Sequence, residues 1–118
     1  MSISLGSPEA DQLIGEAKSR LHGYEGSIIP FVRLCKIFNL ERDERRMAEI
    51  IELACNKKVR LMKHVYFYLD DEFGPVQLKD GVIKHYLMFD ELYHPVSNVV
   101  VDNVDVEERV LIEFEVVG

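Results

Sequence analysis

Apolar residues recur at helical spacing through the first half of the chain and at strand spacing through much of the second, and this change of period organises the sequence. In SPEADQLIGEAKSRLHG, Leu13, Ile14, Ala17 and Leu21 form one stripe. Ser7 suits the N-cap, Pro8 the first helical position, Glu9 and Asp11 the positive end of the helix dipole, and Gly23 the stop. In SIIPFVRLCKIFNL, Phe31, Leu34, Cys35 and Phe38 share a face. A second helix is therefore expected from a cap at Ser27, with Pro30 in its first turn, to about Asn39. A third helix is expected from Glu41. It carries Met47, Ile50, Ile51 and Ala54 on one side, a Glu41–Arg45 pair on the other, and Asn56, Lys57 and Lys58 at its negative end.

Beyond Lys58 the β-branched and aromatic residues alternate, with Val65, Phe67 and Leu69 against His64, Tyr66 and Tyr68, which predicts a strand. DDEFGP then reads as a turn and VQL as a short extended piece. In LKDGVIKHYLMFDELYHP, Val82, Tyr86, Phe89 and Tyr93 fall in a narrow arc, predicting a fourth helix capped by Asp80 and left through Tyr93-His94-Pro95. The remainder predicts turns at HPVSN and DNVD, a short strand at VVV, and a strand over RVLIEFEVV. The expected class is α+β, with three N-terminal helices packed on a small antiparallel sheet and one further helix. Residues 1–118 are expected to form a single compact domain, helical over 1–58 and strand-rich over 59–118.

Three helices followed by strand, turn and strand is the order of a winged helix, with NLERD as the turn of a helix-turn-helix. Arg42, Arg45 and Arg46 would then carry DNA contacts. Charge weighs against that function. Residues 41–52 hold three arginines against five carboxylates, and the wing tip would be Asp70-Asp71-Glu72, where phosphate needs the opposite sign.

The formal net charge of −7 is unevenly spread. Residues 1–60 carry ten Lys/Arg and nine Asp/Glu, whereas residues 61–118 carry four and twelve, a net of −8. Such a surface repels phosphate and anionic lipid over roughly 8 Å at physiological salt and attracts basic partners. The chain is therefore expected to be a non-enzymatic acidic module that regulates, adapts or inhibits another protein, with occupation of a basic nucleic-acid-binding surface as its boldest form. The residues expected to meet that partner are Asp70, Asp71, Glu72, Asp90, Glu91, Glu107 and Glu108, with Tyr66 and Tyr68 as an aromatic face. The alternative is a winged-helix DNA-binding regulator.

Other chemistries find little support in the spacing. Cys35 and Cys55 lie on apolar helical stripes, so they read as reduced core residues in a cytosolic protein rather than as activated thiols or a disulfide framework. His64, His85 and His94 have no ligand spacing for a metal, and no cofactor is implied. No apolar run approaches the roughly 20 residues that span a bilayer, and no export signal is expected. The strand over 108–117 is expected to be an edge through which two copies pair, with Glu113 and Glu115 giving it mild protection.

Overall fold

The computed structural model describes residues 5–117. The described elements, in chain order, are α1 (Pro8–Leu21), β1 (Ile28–Ile29), α2 (Phe31–Ile37), α3 (Glu44–Ala54), β2 (Met62–Asp70), β3 (Gly74–Gln77), α4 (Asp80–Phe89), α5 (Asn103–Arg109) and β4 (Val110–Val116). This is an α+β chain with a curled antiparallel sheet of order β1-β4-β2-β3. It divides into a helical unit, Met1–His64 with Phe114–Gly118, and an acidic unit, Val65–Glu113.

In the helical unit, the Ser7 hydroxyl accepts from the Ala10 amide at 3.1 Å, so α1 starts where its cap and proline direct it. Ala10, Leu13, Ala17 and Leu21 form its buried stripe, and Ile14 lies at the margin. The second helix is shorter than its apolar pattern suggests. Ile28 and Ile29 are extended and pair with Glu115 and Phe114, and α2 begins only after Pro30. A residue before proline is disfavoured in the helical conformation, and two consecutive isoleucines suit a strand. Likewise α3 starts at Glu44 rather than Glu41, because Asp43 Oδ1 accepts from the Arg46 amide and sets the cap there. Glu41 therefore lies outside the helix, and the expected Glu41–Arg45 helical pair is replaced by Arg46–Glu49. Leu34, Met47 and Met62 are the largest wholly buried side chains, packed with Phe38, Ile50 and Phe114.

In the acidic unit, β2 and β3 form a hairpin in which Leu69 faces Pro75 and Asp70 faces Gly74. The core is small: Tyr68, Leu78, Leu92, Val101 and Val106, flanked by Tyr66, Val82, Ile83, Tyr86 and Val110. Along β2 the strict alternation fails. Met62, Val65 and Tyr68 are the buried positions, so the strand buries residues from both of its faces.

Four further expectations are corrected. Asp80 is the first residue of α4, not its cap. Lys79 occupies the N-cap position without a side-chain hydrogen bond, and the Asp80 carboxylate still complements the dipole. The helix stops at Phe89 because Asp90 turns into the left-handed region at φ 55°, which leaves Tyr93 off the helix and bridged to Val100. Residues expected as a turn and the start of a strand form α5, capped by Asp102 Oδ1 on the Val104 amide at 3.0 Å. Finally, β4 lies between β1 and β2 and is not a sheet edge.

Removing side-chain volume at Leu34, which is wholly buried, is expected to cost about 2–5 kcal/mol as Leu34→Ala. Loss of the α3 cap in Asp43→Ala should cost about 1 kcal/mol. Urea unfolding followed by circular dichroism measures both, and equal effects would contradict the assignment of one to core and the other to cap.

Candidate docking surface

The carboxylates predicted to face a partner divide into two groups. Asp70 sits at the end of β2, and its Oδ2 accepts from the amides of Glu72 and Phe73, both at 2.9 Å. Its Oδ1 accepts from His94 Nε2 at 2.6 Å. The Phe73 amide and then the His94 ring hold the Asp70 carboxyl below its ordinary value. Asp71 receives a two-pronged contact from Arg109, Nη1 to Oδ1 at 2.8 Å and Nη2 to Oδ2 at 3.2 Å, while the same Nη1 donates to the Leu69 carbonyl. Glu91 Oε1 accepts from His85 Nε2 at 3.2 Å and from the Tyr93 hydroxyl at 3.0 Å, and both bonds lower its pKa. Asp70, Asp71 and Glu91 thus hold the acidic unit together. Asp71 is itself exposed while it makes its contact with Arg109, as are Glu72, Asp90, Glu107 and Glu108.

The His94 ring is fully engaged. Its Nδ1 accepts from the amides of Val96 at 3.1 Å and Ser97 at 3.0 Å, so the ring proton sits on Nε2, directed at Asp70. Its edge meets Tyr68 with ring centroids 5.0 Å apart. Neither nitrogen is left to move a proton for a substrate. His85 lies over Phe89 and Tyr93 with centroids at 4.7 and 5.1 Å, tying the segment after α4 back onto the helix. Glu91 in turn raises the Tyr93 phenol, the opposite of activation. His64 lies against Phe114. Both cysteines are free thiols. Burial raises Cys35, assisted by Glu44 and Glu41, and pushes Cys55 up to about 11, so neither is a thiolate at neutral pH. Among the described residues no group of three or more His, Cys, Asp or Glu is placed to hold a metal ion.

Helix α4 supplies the feature that sequence reasoning missed. Val82, Ile83 and Tyr86 lean on the small core, yet the helix carries no buried residue. Its last three positions, Leu87, Met88 and Phe89, are 71%, 64% and 63% exposed. Phe89, expected on the inner arc, therefore lies on the outer surface. Beside the helix opens a cavity of about 380 Å³ walled by Tyr66, Ile83, Tyr86, Leu87, Val106 and Ile112, with Glu107 the one charged residue in its lining. Tyr66 thus faces a recess, whereas Tyr68 is buried in the core and its phenol is raised by that burial. The signal in the sequence is YLMF, four large apolar residues in succession on a short helix, more than one buried stripe can take.

The arginines of the alternative reading lie in the helical unit. Arg42 and Arg45 are exposed, while Arg46 Nη1 is held by Glu9 at 3.4 Å and Glu49 at 3.0 Å. Among the described residues, Arg42 and Arg45 have no carboxylate within ion-pair distance, whereas Arg46 has two.

The hydrogen-bond set at His94 makes two predictions. Long-range ¹H–¹⁵N spectra at mildly alkaline pH should show the Nε2–H tautomer, and an Nδ1–H signal would contradict the geometry. Because the Asp70 carboxyl titrates below its usual 3.8 when folded, its stabilising contribution is present above that value and lost as pH falls through the lower, folded one. Asp70→Asn should accordingly flatten the loss of stability in acid, measured as denaturant midpoint against pH.

Comparison with known proteins finds no matching family model, no matching curated protein and no matching solved structure, so the functional reading of this surface rests on its geometry and chemistry.

Proposed function

We propose that the chain is a non-enzymatic binding module, and that its acidic unit docks a segment of another protein in the apolar cleft beside α4. The observation that carries this reading is the exposure of Leu87, Met88 and Phe89 in succession at the end of α4, with Leu87 in the wall of the cleft. Fully burying a side chain of this size is worth roughly 1.5–3 kcal/mol, so three left in water next to an apolar recess are a strong reserve of binding energy. Charge selects the occupant. The unit holds eleven Asp/Glu against three Lys/Arg, a net of −8, and Glu107 stands in the cleft wall. A short segment with aliphatic or aromatic anchors flanked by Lys or Arg complements both properties.

This reading relocates the site within the acidic half. Asp70, Asp71 and Glu91 serve internal contacts, and the outward carboxylates Glu72, Asp90, Glu107 and Glu108 supply attraction and orientation around an apolar centre. Charge alone, as imitation of a nucleic-acid backbone would require, is the lesser part. The free thiols Cys35 and Cys55 support placing the protein in a reducing compartment such as the cytosol.

Selection of random 15-residue peptides displayed on phage against the immobilised chain tests the proposal. Enriched peptides should pair apolar anchors with basic flanks. Leu87→Asp and Phe89→Asp should each weaken them at least tenfold; Leu87→Asp should leave the unfolding midpoint nearly unchanged, since its side chain is exposed, whereas Phe89→Asp also loses the His85 ring contact and should lower the midpoint slightly. Failure to enrich any sequence, or enrichment of peptides that bind both variants normally, overturns the proposal.

A further inference from the structure

A second concavity, of about 510 Å³, lies in the helical unit at the end of α3 and has the opposite character. Lys57, Arg60 and Lys63 line it together with Cys55, Met62 and Val117, and Glu115 is the one carboxylate in its lining. Lys63 Nζ lies 3.6 Å from Glu115. Among the described residues neither Lys57 nor Arg60 has a carboxylate within ion-pair distance, whereas Arg20, Arg46 and Arg109 all do.

These cations are not needed to finish the helix. The Ile51, Leu53 and Ala54 carbonyls at its end accept backbone amides from Cys55, Asn56 and Leu61. Half a unit of negative charge from the helix dipole opposes an anion here, but the three side chains less Glu115 leave about two units of positive charge. The loop is also held in place. Asn56 accepts the Val59 and Arg60 amides through its carbonyl and the Lys58 amide through Oδ1. Arg60 occupies the left-handed region at φ 52°, where arginine is uncommon, and its Nε donates to the Lys57 carbonyl at 3.0 Å. A glycine or asparagine would sit there with less strain. The chain instead places a guanidinium there, pinned at Nε, with its Nη groups not engaged by any carboxylate.

We infer that this concavity binds a small molecule bearing two adjacent phosphate groups. After the helix dipole is set against it, an excess of about one and a half positive charges remains, which favours a doubly or more highly charged anion such as a diphosphate, and the apolar part of the lining can meet the group attached to it. A concave trio of cations holds one compact polyanion, whereas an extended nucleic-acid backbone calls for a stripe of contacts. The site is independent of the apolar cleft and of the proposal made for it.

The full-length chain titrated with ADP, pyrophosphate, adenosine and a ~20-bp duplex at about 150 mM salt, by calorimetry and by ¹H–¹⁵N amide shifts, tests the inference. ADP and pyrophosphate should saturate at one per chain and shift the amides of Lys57, Arg60 and Lys63, and adenosine should not. Arg60→Gly is the decisive variant, because glycine accepts φ 52° and preserves the loop; it should weaken binding at least ~10-fold with no loss in the unfolding midpoint. Lys63→Ala should weaken binding as well. Absence of saturable binding by either phosphate compound, wild-type affinity in Arg60→Gly, or binding confined to the duplex would each overturn it.

Discussion

The carboxylate of Asp70 is the polar group on which the acidic unit most depends. One side chain closes the β2–β3 turn through two backbone amides and ties that turn to His94, twenty-four positions along the chain, whose other ring nitrogen orders the Val96–Ser97 turn. The unit has only six buried apolar residues among those described to set against the entropy of ordering its loops. Directional bonds among partly buried groups therefore do more of the organising here than they do in a large core. Arg109 on Asp71 and Glu91 on His85 and Tyr93 extend the same principle, each fixing a loop by a charge-assisted contact.

That construction explains how an apolar surface coexists with a strongly acidic one. Carboxylates are spent on internal ties, and the weight of apolar side chains that a short helix and short strands cannot bury stays outside, along α4 and its cleft. The helical unit is built the other way. Sixteen buried residues, drawn from three helices and their ends and from β1, β2 and β4, form its core, its ion pairs are peripheral, and its cations collect where α3 leads into β2. The two units thus offer concavities of contrasting chemistry, one mainly apolar with Glu107 in its wall and one lined by three cations.

Helix caps and apolar stripes were legible wherever local signals agreed. α1 and the buried face of α3 follow directly from Ser7, Pro8, Met47, Ile50 and Ala54. Legibility fell where a local preference competed with the stripe. Pro30 held Ile28 and Ile29 extended although the apolar pattern ran on through them, and Asp90 ended α4 before Tyr93. α5 escaped notice because Val104 and Val106 alternate as in a strand, while Asp102 acts as a cap that resembles one more turn residue. The order of three helices, strand, turn and strand is present as α1, α2, α3 and the β2–β3 hairpin, but a winged helix is not established by that order alone.

What the sequence determined by itself is whatever depends on near neighbours and on composition: the α+β class, the start of α1, the buried faces of the first three helices, and the acidity of residues 61–118. Only the tertiary structure decided which carboxylates are tied to other side chains, because pairing with His94, Arg109 or His85 joins positions between six and thirty-eight residues apart. It likewise decided that β4 is an interior strand and that Leu87, Met88 and Phe89 lack a covering layer. Periodicity reports that a residue is apolar and on which side of its helix it lies. Whether another element arrives to bury it is set by long-range packing, which no local pattern records.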